Sequence, residues 1–183
     1  MKQNFHTEGI LKGWPYTTYL LHDVGSLKNR NYNSREEIAN ADYLTFDGVY
    51  RNVWENRDVL EGKNFILFPM GNYIGKDNSF DVKMPLEDLC NMEEIEELVS
   101  MGGILGWHTW SHRNLTKLSE EEIIKEIDAP FKTELFAYPY GRLNDRVIKL
   151  LKERGYKYAF SAGKFGDGTD FQLKRTYLVG NNS

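Results

Sequence analysis

Two histidines stand four residues apart in His108-Thr109-Trp110-Ser111-His112, directly after the apolar run Ile104-Leu105-Gly106. On a helical turn, positions i and i+4 share a face, so this spacing predicts two imidazoles that reach one metal ion. The bland alternative is two unrelated surface histidines. The chain has only four histidines, and a pair of them at this spacing after a strand favours the metal reading by ligand type. A carboxylate, Asp47, ends Leu44-Thr45-Phe46-Asp47. It could act as a general base toward water, as a metal ligand, or as the N-cap of a helical pattern beginning near Tyr50. The third feature is Phe136-Ala137-Tyr138-Pro139-Tyr140-Gly141, a turn with φ set at Pro139. It either presents a backbone N–H to an oxyanion or is an ordinary loop turn.

These residues need elements to hold them. Short β-rich runs alternate with polar punctuation and helical patterns, the signature of βα units building a mainly parallel sheet or barrel. Strands are expected at Thr17 to Leu21, Tyr43 to Phe46, Phe65 to Phe68, Ile104 to Gly106, Leu135 to Ala137 and Tyr158 to Ser161, with a weaker seventh around Leu173 to Val179. Apolar residues at three- and four-residue spacing mark helices around Ile95, Leu98 and Val99 and around Val147 to Leu151. Ser119 with Glu122 three residues later is a capping box, Asn144 or Asp145 could cap the next helix, and Gly155 suits a helix stop. Gly71 to Pro85 reads as a long loop of the kind that borders an active site or is a plain surface excursion. In parallel α/β folds chemistry gathers at the carboxyl ends of strands. His22-Asp23, Asp47, His108, Pro139-Tyr140 and Asp167 all follow an expected strand.

With 183 residues, 40% of them hydrophobic, the chain predicts a single domain over 1–183, with 1–15 as an N-terminal extension. Such a length buries roughly 70% of the surface exposed in the unfolded chain. The 23 Lys and Arg against 27 Asp and Glu leave a net charge of −4 and no basic block. That excludes the positive reservoir nucleic-acid binding needs. One cysteine, Cys90, cannot form an internal disulfide. No window nears the ~20 apolar residues of a membrane span, and the polar start Met1 to His6 has no signal-peptide pattern, so a cytoplasmic protein is expected.

The motifs together resemble the polysaccharide deacetylase family. They occur in that family's order: Leu21-His22-Asp23, Thr45-Phe46-Asp47, His108 to His112, and Phe136 to Gly141, a likeness running from Tyr19 to Val179. The flanking stretches Ser111 to Ser119 and Leu150 to Phe160 agree as well. The resemblance implies a distorted seven-stranded (β/α) barrel and a divalent metal, usually zinc. It further implies hydrolysis of N- or O-acetyl groups on an acetylated sugar or polysaccharide. Carried over by position, Asp47 matches the general base, His108 and His112 match metal ligands, and Tyr140 matches the oxyanion-hole residue. His22 is the candidate for protonating the leaving amine.

The chain departs from the family pattern at two places. The second Asp of the T-F-D-D-G-Y motif, a metal ligand in the family, is Gly48 here. Either Asp47 moves to the metal, or Asp23 supplies the third ligand, or no metal binds. Ala137 stands where an Arg often orients the base, and Arg175 could serve instead. Trp110, Tyr138 and Arg175 are the expected substrate contacts, with Trp107, Tyr140 and Phe165 as further rings suited to a sugar face or to packing. The alternative to an acetyl hydrolase is a catalytically impaired domain that binds a glycan or a partner, motivated by Gly48. A weaker third is a hydrolase of another acyl or amide bond.

Overall fold

The structure, a computed structural model, describes residues 19–21, 23–24, 32–82, 86–162 and 165–177. In chain order its elements are β1 (Tyr19–Leu21), β2 (Asp23–Val24), β3 (Tyr32–Asn33), α1 (Arg35–Ala39), β4 (Leu44–Gly48), α2 (Arg51–Glu55) and β5 (Phe65–Pro69). There follow α3 (Met92–Ser100), β6 (Ile104–Leu105), α4 (Glu120–Ile127), β7 (Leu135–Ala137), α5 (Asp145–Glu153), β8 (Tyr158–Phe160) and β9 (Thr176–Tyr177).

Every residue of β4 and β5 is buried, as parallel strands covered on both faces require. They pair in register from Leu44↔Phe65 to Gly48↔Pro69. The sheet runs β6-β5-β4-β1-β9, parallel throughout. Side chains alternate across it with period two. Phe65 and Leu67 face a core shared with Ile38, Phe46, Val53, Ile95 and Leu98, whereas Ile66 and Phe68 pack with Leu135, Ala137 and Phe160. A third core lies under α4 and α5, where Trp107, Leu115, Ile123, Ile127, Val147 and Leu151 meet.

The expected seven-stranded barrel is met in part. Five strands share one ladder, while β7 and β8 form a separate parallel pair. Single bridges join the two: Trp107↔Phe136 on one side, and Phe160↔Leu173 on the other, just ahead of β9. Beyond Leu105 the chain donates alternately to both neighbours, Gly106 and His108 to β5 and Trp107 to β7.

The helix ends follow the local signals. Capping boxes at Asn91/Glu94 and Ser119/Glu122 start α3 and α4, and the Asn144 side chain caps α5. A further box, Ser34/Glu37, starts the short α1. The cap of α2 is Tyr50, with no side-chain hydrogen bond, and Asp47 is a strand residue. That removes the N-cap reading of Asp47. Among the described residues no helix is long and apolar enough to cross a membrane.

Candidate active site

Asp47 sits near the carboxyl end of β4, 5% exposed. A buried carboxylate needs a cation or several donors, and Arg175 supplies both. Its Nη1 donates to Asp47 Oδ1 at 2.6 Å and its Nη2 to Oδ2 at 2.8 Å, the bidentate fork that suits a carboxylate. Nη1 also donates to Thr45 Oγ1 at 3.1 Å, and Nε to the Ser161 carbonyl at 2.8 Å. The guanidinium lies beside the paired rings of Phe68 and Phe160, 5.7 and 5.9 Å from their centroids. Past Asp47 the chain turns through two left-handed residues, Gly48 (φ 91°) and Val49 (φ 54°). For a β-branched residue this conformation costs on the order of 1–2 kcal/mol.

His108 follows β6 and is buried. Its Nδ1 lies 2.8 Å from the Ala137 carbonyl, which can only accept, so Nδ1 carries the proton. Nε2 lies 3.7 Å from Asp47 Oδ2. Burial lowers the His108 pKa below the ordinary imidazole value, against the opposing pull of Asp47 and the Ala137 carbonyl.

The His108–His112 segment is not helical, contrary to the helical-turn expectation. Thr109 (φ 70°) and His112 (φ 56°) are both left-handed, and the His112 N–H donates to Thr109 Oγ1 at 2.9 Å. Two such turns, not 3.6-residue periodicity, bring the imidazoles together, their centroids 4.9 Å apart. The spacing still pairs the rings, but by another geometry.

Around His112 the rings form a rim. Phe80 lies 5.1 Å from it on one side and Tyr140 4.6 Å on another, and Tyr73 backs Phe80 at 4.5 Å. Tyr140 is 57% exposed and left-handed (φ 58°) in the Pro139–Gly141 turn. Its phenol is raised above the ordinary value by burial, then by Asp81 and Tyr73. Phe80 and Tyr73 come from the segment 71–82; their positions could not be read from sequence because they depend on how that segment folds back. Backbone bonds Gly71 N–H to Thr109 O and Asn72 N–H to Trp110 O seat it on the histidine turn.

Three residues expected at the substrate are placed as follows. Tyr138 is fully buried, and its hydroxyl donates to the Phe171 carbonyl at 2.9 Å, so it belongs to the core and not to a substrate surface. Arg175, 2% exposed, meets Asp47 instead of substrate, which is the other role its position allowed. Trp110 is half-buried, its indole N–H committed to the Asp128 carbonyl at 2.8 Å and its ring against Trp107 and over Gly71. Any Cβ at Gly71 would fall 2.2 Å from that ring. His22 lies outside the described residues. Asp23 is placed only as backbone of β2, paired with Tyr32.

The donors do not add up to a three-ligand zinc centre. Among the described residues no group of three His, Cys, Asp or Glu could hold a metal ion. His108 and His112 supply two imidazoles, Asp47 is engaged by Arg175, and a catalytic zinc has three protein ligands and an open position. Gly48 offers no carboxylate, and a Cβ built there would face Met70 Cε at 3.2 Å, Tyr50 and Leu89, an apolar wall.

Comparison with known proteins agrees with this layout. The polysaccharide deacetylase family model matches residues 35–159. A poly-beta-1,6-N-acetyl-D-glucosamine N-deacetylase of Staphylococcus aureus is 26% identical over 141 residues, 65% of this chain and 47% of its own. The chain spans about half the length of the curated relatives it matches. Among solved structures, the deacetylase PplD of Streptococcus pyogenes superposes with a TM-score of 0.72 at 15% identity, over 91% of this chain and 94% of that one. IcaB from Ammonifex degensii gives 0.66 at 18% identity, over 90% and 92%. At these identities the structural matches speak for the fold.

Proposed function

We propose that this chain, which belongs to the polysaccharide deacetylase family, hydrolyses the acetyl group of an N-acetylated sugar in a polysaccharide. The observation that carries the reading is Asp47, buried, oriented by Arg175 through two hydrogen bonds and 3.7 Å from the His108 imidazole. Arg175 thus holds Asp47 in one orientation, as a general base toward an attacking water requires. The water oxygen bonds to the acetyl carbon, the C–N bond breaks, acetate leaves, and the amine takes a proton from a general acid. His22 is proposed for that acid. The left-handed turn at Tyr140 is proposed to offer its backbone N–H to the carbonyl oxygen as charge develops. The rim of Phe80, Tyr73 and Tyr140 supplies flat apolar faces of the kind pyranose rings pack against.

A divalent metal, zinc by ligand type, is proposed on His108, His112 and Asp23, with Asp23 as the third donor beside the two imidazoles. The S. aureus relative's name makes β-1,6-linked N-acetylglucosamine oligomers the first substrate to try, with acetylated chito-oligosaccharides second. Acetate release by the wild type, falling by about a thousandfold or more in Asp47→Asn, is the expected result. No acetate from either substrate and no zinc in the purified protein would overturn the reading. One observation favours a second reading, an impaired domain that binds glycan without cleaving it: Gly48 stands at the family's second Asp and faces an apolar wall. Glycan binding with no acetate release supports that one.

A further inference from the structure

The histidine turn is strained and has no helix to hold it, so something else must. We propose that Glu126 is its positioning residue. The residue sits in the last turn of α4, is 7% exposed, and lies 18 and 14 positions along the chain from His108 and His112 by number. Its Oε2 accepts the Trp110 N–H at 3.0 Å and the Ser111 N–H at 2.9 Å, and its Oε1 accepts the Ser111 hydroxyl. These donors belong to the two residues between left-handed Thr109 and left-handed His112. A helix would satisfy such N–H groups from its own carbonyls; here one carboxylate does it from outside.

The docking is reinforced on both sides of that carboxylate. Trp107 Nε1 donates to the Glu126 carbonyl at 2.9 Å, and Trp110 Nε1 to the Asp128 carbonyl at 2.8 Å. Both tryptophans flank His108 in sequence, so α4 grips the segment before and after the first imidazole. Across the turn, Gly71 and Asn72 hold the Thr109 and Trp110 carbonyls. Glu126 is therefore the one side chain among these contacts that binds the middle of the turn. It acts through the backbone that carries His112.

The inference rests on the proposed role of His108 and His112, and its test separates the two. In full-length protein labelled with nitrogen-15, the histidine ring correlations are compared for wild type, Glu126→Gln and Glu126→Ala, alongside kcat and KM for acetate release. Gln keeps an oxygen acceptor of the same reach, so Glu126→Gln should retain wild-type ring correlations for His112 and kcat within about threefold. Glu126→Ala should shift the His112 correlations and lower kcat by about 30-fold or more with KM within about threefold. Wild-type correlations in Glu126→Ala, or equal damage in both variants, would overturn the proposal. If Glu126→Ala does not fold, Ser111→Ala removes one of the three bonds, and unmoved His112 correlations in it count against the proposal. A wild type that releases no acetate fails the deacetylase reading while the ring correlations still decide the positioning.

Discussion

Asp47 reaches the site on a regular parallel ladder, whereas His108 and His112 reach it on a turn with two left-handed residues. The carboxylate side is secured by register and one buried ion pair: β4 is flanked by β1 and β5, and Arg175 closes on Asp47. The imidazole side is secured by many modest bonds from Gly71, Asn72 and α4. Placing a charge in the interior requires a strong single partner, because an unpaired buried ion is costly. Placing an imidazole ring requires only geometry, which several weaker contacts can supply together.

The sharpest way to break this contrast is Arg175→Ala. It leaves the Asp47 carboxylate buried without its cation, and the expected loss of stability is about 3–5 kcal/mol in urea unfolding. A loss below about 1 kcal/mol would mean that the two sides are held alike. Gly48→Asp tests whether the carboxylate side can be rebuilt into a metal site. With φ at 91° and Met70 Cε 3.2 Å from the new Cβ, it should cost about 1–2 kcal/mol and add no zinc. Zinc uptake by that variant at unchanged stability would show that the turn after Asp47 adjusts freely.

The smallest effect concerns the entry to β4. Asp42 accepts the N–H groups of Tyr43 and Asn64 and the Asn64 amide. Burial pushes its pKa up, but these hydrogen bonds outweigh burial and hold it below the ordinary 3.8. A depressed carboxylate contributes stability above its unfolded pKa and loses it as pH falls through the lower folded value. Asp42→Asn should accordingly unfold with a flatter pH dependence below about pH 4, read from thermal melts across that range. An unchanged acid limb would remove Asp42 from the account of how β4 begins.

Much of the site was legible because its residues sit where local patterns change. Asp47, His108 and Tyr140 each follow an apolar strand, and the ends of α3, α4 and α5 carry their own caps. The less legible placements are those where a residue's surroundings come from distant chain. Tyr138 was expected at the substrate, yet alternation continued past β7 turns it inward against Phe136, with its hydroxyl on the Phe171 carbonyl. Glu126 gave no signal: one glutamate among several on an amphipathic helix reads as solvated, and only the approach of α4 to the histidine turn buries it.

From the linear order of residues came the parallel α/β class, the family likeness and the strand-end placement of Asp47, His108 and His112, because periodicity and capping act over a few residues. Only the tertiary structure decided that Arg175, 128 positions from Asp47, is its partner. It also decided that the histidine spacing is realised by a strained turn instead of a helix. Those outcomes depend on which strands and loops pack together, and contacts between remote segments leave no pattern in the chain between them.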